Sequence, residues 1–281
     1  MKTGGTIIFV VSLSILLLGC VDSGTQPFDP FATLPTEYVN VPDQPINTRI
    51  FYSFLEHIER EGRSVSLTFT TERIYGSGGY QIVSRIKQTG SHFIVYLDSI
   101  QAPEFGIAIP LPATARFQLG PLRNDLYSFE IIINGRTIVA LLSVNDTSFL
   151  TRVQPNNCVK NSRPRLLRVP LDVIWGQAES FTPALYQMFL DSLVALGASV
   201  PHLPAGEYFY FTANTDGSSR ISSALGRAHG RHFLYRFSPD TSLTRSLVKR
   251  FAKRHGDSIY VALFGGRGEM YFTTVLKLEP E

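Results

Sequence analysis

Apolar and polar residues alternate with a period of two through most of the stretch from Ser64 to Pro155. Val65, Leu67 and Phe69 alternate with Ser64, Ser66 and Thr68. Ala113, Ala115, Phe117 and Leu119 alternate with Thr114, Arg116 and Gln118, and Tyr127, Phe129, Ile131 and Ile133 with Ser128 and Glu130. Successive side chains of a strand point to opposite faces, so each run demands one buried and one wet face. Turn chemistry separates the runs. Asn134-Gly135 is a strong two-residue hairpin signal, and Thr89-Gly90 marks a second hairpin. The pattern predicts strands at 64–71, 80–88, 92–98, 113–119, 126–133, 136–144 and 148–154. About seven short strands at this spacing predict a β-sandwich domain over 46–160.

Ala113 to Val144 runs as an alternating strand, a Leu119-Gly120 turn, a strand around Tyr127 and the Asn134-Gly135 hairpin. This succession resembles the later strands of immunoglobulin-like and fibronectin-like modules of bacterial surface proteins. The resemblance implies an immunoglobulin-like sandwich and, being one of fold, implies no function. Upstream, Phe51, Phe54, Leu55 and Ile58 have helical spacing with Gly62 as a stop, which predicts a helix. A first strand through Arg49–Phe54 is the competing reading.

Beyond Ser162-Arg163-Pro164 the pattern changes, and 163–281 reads as an α+β domain with one sheet backed by two helices. Leu166–Ile174 reads as a strand. Thr182 and Pro183 open a helix striped by Leu185, Phe189, Leu193 and Leu196 and closed by Gly197. Asp191 is the only charge on it, so a deeply buried or partner-covered helix is expected. Tyr208–Ala213 and Phe233–Phe237 read as strands. A second helix starts at Asp240 or Ser242, points Leu243, Leu247 and Phe251 inward, and ends at His255-Gly256. Ser258–Phe264 and Glu269–Leu278 form a final hairpin. Tyr208-Phe209-Tyr210-Phe211 is apolar on both faces. It therefore needs cover from the first domain or from an envelope protein partner.

The chain opens Met1-Lys2 and is then uncharged from Thr6 to Leu18, about thirteen residues where a spanning helix needs roughly 20. The run closes on Leu17-Leu18-Gly19-Cys20, which resembles the lipobox of bacterial lipoproteins. The resemblance implies a signal peptide over 1–19 and a palmitate-type lipid anchor on Cys20. Residues 20–45 carry five prolines and no apolar period, and read as an extended tether. The expected location is the cell envelope. In a host with two membranes the outer one is favoured, because Val21 rather than aspartate follows Cys20.

Little in the rest of the sequence carries chemistry. The net charge of +3 lacks the dense basic stripe of a nucleic-acid protein. With Cys20 lipidated, Cys158 has no disulfide partner. Ser246-x-x-Lys249 lacks the companion motifs of penicillin-binding enzymes. The loop His229 and His232 lack a third ligand at metal-site spacing, so no metal or cofactor is expected. Arg245, Lys249, Arg250, Lys253 and Arg254 crowd the outer face of the second helix. Such a surface suits acidic partners, although a solvated face with cations near a helix C-terminus is the simpler reading. The leading expectation is a non-enzymatic binding or assembly component. The alternative is an envelope hydrolase whose acids and bases come from His229, His232, Glu207 and Asp240.

Overall fold

The computed structural model describes residues 43–106, 108–221, 229–237, 241–276 and 278; the side chains of 229–231 and 241 are not among what it describes. Val41–Glu281 forms one compact unit. The unit is mainly β.

Ten strands build the larger sheet. They are β1 (Ile50–Glu59), β2 (Gly62–Tyr75), β3 (Gln81–Thr89), β4 (His92–Gln101), β5 (Leu111–Gly120), β6 (Asp125–Ile133), β7 (Arg136–Val144), β8 (Ser148–Val153), β9 (Val159–Asn161) and β10 (Arg165–Leu167). Their order is β10-β8-β7-β6-β4-β3-β5-β2-β1-β9. Most neighbours are antiparallel; β4 and β6 pair in parallel, as do β1 and β9 and, through Gln81↔Thr114, β3 and β5. Phe54 on β1 and Phe129 on β6 lie five strands apart in this order, a separation of roughly 24 Å in a flat sheet. Their ring centroids are 5.1 Å apart. The sheet therefore curls on itself and encloses its core between its own strands. Tyr52, Phe69, Phe93, Phe129 and Phe149 are among the fully buried side chains there.

The alternating runs of the sequence lie in β2 to β8. Strands β1, β9 and β10 bring the total to ten, so one continuous curled sheet stands where a seven-stranded immunoglobulin-like sandwich was expected. The helix expected over Phe51–Ile58 is instead strand β1, paired with β2 from Ile50↔Thr71 to Glu59↔Gly62. Its burial alternates strictly: Ile50, Tyr52, Phe54, Glu56 and Ile58 point inward. The segment is apolar enough on both faces to satisfy either period, and the long partner strand β2 decides between them. A bulge between Thr70 and Ile74 is patched by one side chain. The Thr71 hydroxyl accepts the Ala113 N–H at 2.9 Å and donates to the Arg73 carbonyl at 2.8 Å.

The second sheet uses β11 (Val173–Ser180), β15 (His229–Arg236), β16 (Ile259–Gly265) and β17 (Met270–Phe272), in the antiparallel order β15-β11-β16-β17. A small sheet of β12 (Gly206–Glu207), β13 (Phe211–Ala213) and β14 (Ser219–Ile221) lies between β11 and β15 in sequence. Helices α1 (Pro183–Ala195) and α2 (Thr241–His255) cover one face of the four-stranded sheet. Phe189, Leu193, Val248 and Phe251 meet Ala178, Phe233, Val261 and Leu263 there. On the opposite face, Val173, Trp175 and Phe264 meet Tyr208, Phe211, Ala213 and Ile221 of the small-sheet region, together with Ile58 of β1 and Leu167 of β10. The aromatic run is thus covered inside the chain, and Phe209 packs on the core of the large sheet.

Several expected boundaries move. The Leu166–Ile174 strand divides at Pro170: β10 joins the large sheet, and β11, buried at every position, becomes the centre of the second. The Tyr208–Ala213 strand shrinks to β13, because Tyr208 and Phe211 instead bond to each other across a turn. The last hairpin has a short second arm, β17, which gives way to α3 (Thr273–Leu276).

Candidate functional site

Of the four catalytic candidates, the structure describes the side chains of Glu207 and His232. Glu207 lies on β12, where its carboxylate is 3.0 Å from the Arg163 guanidinium. His232 lies on β15, exposed, in register with Gln177. The backbone of His229 begins β15, but its side chain, like all of Asp240, lies outside the described residues, as does Cys20. No group of three or more His, Cys, Asp or Glu able to hold a metal occurs among the described residues. Cys158 is a half-buried thiol whose backbone N–H donates to Asn156 Oδ1 at 2.9 Å.

Two groups of buried polar residues escaped the sequence reading. Glu56 is 3% exposed on β1. One of its oxygens accepts Arg168 Nε and Nη2, both at 2.8 Å, and the other accepts Arg63 Nη1 at 3.3 Å. Arg63 Nη2 also donates to the carbonyls of Val169 (2.6 Å) and Gly266 (2.7 Å). This knot joins the large sheet, the connecting segment and the β16–β17 turn, which makes it a structural weld. The second group is Gln177 and Glu179, on the face of β11 that also carries Trp175. They are 3% and 5% exposed, and Gln177 Oε1 and Glu179 Oε2 have no hydrogen-bond partner among the described residues. Period-two reading would have exposed them, had 173–180 been recognised as a strand.

The helical layer holds the most developed surface. Helix α1 begins after an extended Thr182 with Pro183 in its first turn. It buries Tyr186, Phe189, Leu190 and Leu193 and leaves Met188 and Val194 about half exposed. It is therefore only half buried within its own chain, so of the two expectations, deep burial or cover by a partner, deep burial is not met. Helix α2 turns Thr244, Leu247, Val248, Phe251 and Ala252 inward. This places Leu243 on the outside at 49% exposure, contrary to the inward position expected from spacing. Val248 rather than Leu243 completes the stripe, because 244, 247, 248 and 251 share one helical face.

Helix α2 contains no acidic residue. Its cations divide between two clefts. Arg245 lines a space of about 660 Å³ with Arg60, Arg267 and Glu269. Arg250, Lys253, Arg254 and His255 line a groove of about 770 Å³ against α1. Leu196, Leu247 and Phe251 supply the apolar part of that groove, and no carboxylate is among its described lining residues. Lys249 stands half-buried on the same helix. The single acid of α1, Asp191, is held by Gln187 Nε2 at 2.8 Å; burial raises the pKa of Tyr235 on β15, and the Asp191 charge adds to that rise. The arrangement is that of an apolar trough with a cationic rim.

No family matches the chain, and no curated protein or solved structure matches it at a significant level.

Proposed function

We propose that the protein is a lipid-anchored component of the bacterial cell envelope. Its folded unit acts there by binding or assembly, without catalysis. The observation that carries the proposal is the Leu17-Leu18-Gly19-Cys20 sequence at the end of an uncharged run of about thirteen residues, too short to span a bilayer. Cleavage before Cys20 and acylation would leave residues 20–45 as a proline-rich tether with a reach on the order of 75 Å. Several acyl chains anchor firmly, at about 0.8 kcal/mol per buried CH₂. In a host with two membranes the outer membrane is the proposed destination. The binding reading is supported by a surface suited to ligands in the α1–α2 layer.

The test is metabolic labelling with a clickable fatty acid. Wild-type protein incorporates the label. Cys20→Ser does not, and accumulates as an unprocessed or soluble species. Equal labelling of the two overturns the anchor assignment.

A further inference from the structure

We propose that the groove between α1 and α2 is a docking surface for anionic phospholipid at a bilayer surface. Three observations point there together. The first is charge: Arg250 and Arg254 are exposed cations lining the groove, and no carboxylate is among its described lining residues. The second is the floor. Leu196, Leu247 and Phe251 form the apolar part of the groove beneath the cations. The third is the exposed rim: Met188, 47% exposed, lines the groove, and Leu243, 49% exposed, lies on the outer side of helix α2. An acidic wall polymer would need the cations alone and would leave the apolar floor and rim without a role. A phospholipid surface uses both. Its phosphates meet the guanidinium groups, while the acyl boundary receives the apolar side chains. Long arginine stems suit this position, since they lie along apolar surface with their charge at the phosphate level.

The surface acts independently of the lipid on Cys20. It would hold the folded unit flat against a membrane that the tether alone leaves some distance away. Each cation near an anionic surface is worth about fivefold in affinity.

Residues 41–281 contain all three hydrophobic cores and are the protein for the test. Their sedimentation with vesicles of phosphatidylcholine is compared with that using phosphatidylcholine mixed with phosphatidylglycerol. Binding is expected only with phosphatidylglycerol, and it weakens as salt rises. Arg250→Gln with Arg254→Gln lowers the affinity roughly 25-fold. Met188→Ser with Leu243→Ser weakens the binding that survives at high salt. Arg116→Gln with Arg152→Gln removes the same charge from exposed positions of the large sheet and leaves binding within about twofold. All six residues are exposed, and an unchanged urea midpoint confirms that each variant is folded. Three results overturn the proposal. One is no binding to phosphatidylglycerol vesicles. Another is an equal loss in the Arg116/Arg152 variant, which would make the effect one of net charge. The third is capture of soluble polyphosphate at the groove with no vesicle binding, which would make the ligand an acidic polymer.

Discussion

The Tyr210 hydroxyl accepts the backbone N–H of Ile58 at 3.1 Å, across 152 residues of sequence. Tyr210 precedes β13 and Ile58 is the penultimate residue of β1, so this bond ties the small sheet to the large one. The Tyr210 ring also lies 5.0 Å from that of Trp175 on β11. Burial raises the Tyr210 pKa, and the Ile58 N–H partly opposes that shift. Tyr210→Phe keeps the ring packing and removes the bond. The expected cost is about 1 kcal/mol, or up to ~3 if the Ile58 N–H is left unsatisfied. The urea midpoint should fall with an unchanged m-value.

Glu56 is the most sensitive carboxylate. Replacing it with Gln leaves Arg63 and Arg168, both largely buried, without their counter-charge. Breaking a buried ion pair costs roughly 3–5 kcal/mol. Glu72, an exposed residue of β2 paired with Arg49 at 2.7 Å, is the natural comparison. Glu72→Gln should cost no more than about 1 kcal/mol. Urea denaturation of the two variants side by side checks the contrast.

The β16–β17 turn tests how closely the backbone elements approach. Gly268 has φ +89°, and a Cβ there would strike the Glu59 carbonyl and the Arg60 nitrogen, both backbone atoms. Gly90, in the β3–β4 hairpin, also has positive φ, at +59°, but opens onto empty space. Gly90→Ala should cost about 1–2 kcal/mol, the left-handed penalty alone. Gly268→Ala adds a clash with main chain that no side-chain rotation relieves. It should destabilise at least twice as much in the same denaturation assay.

Alkaline pH should weaken the large sheet through Tyr52. Burial pushes its phenol from 10.0 up to about 12, with the Asn161 side chain partly opposing. The folded state therefore holds the proton more tightly than the unfolded chain. The resulting stability is fully present below about pH 10 and is lost as pH rises toward about 12. A single proton contributes a slope of roughly 1 kcal/mol per pH unit in that window. Tyr75, Tyr208, Tyr210 and Tyr235 shift in the same direction, so Tyr52→Phe should reduce the slope without abolishing it. Denaturation midpoints measured across pH 9–12 give the comparison.

Local pattern determined much of this protein. Val65 to Phe69, Ala113 to Leu119 and Tyr127 to Ile133 alternate because each lies on a sheet with one buried face, and Asn134-Gly135 supplies the backbone of its hairpin. Both long helices were legible from Pro183, Gly197 and the stripes of Phe189 and Leu247. Alternation specifies which face is buried but not which strand lies alongside. Tertiary structure alone decided that β1 is a strand, since Phe51–Ile58 satisfies both periods until β2 supplies hydrogen-bond partners. It also decided that ten strands curl into one sheet, which only the meeting of Phe54 and Phe129 reveals. The basic residues of α2 could be named from sequence. Their division between two clefts, and the apolar floor that Leu196, Leu247 and Phe251 set beneath one of them, depend on α1 lying alongside on the same sheet. That contact joins residues about fifty positions apart and leaves no mark in either segment alone.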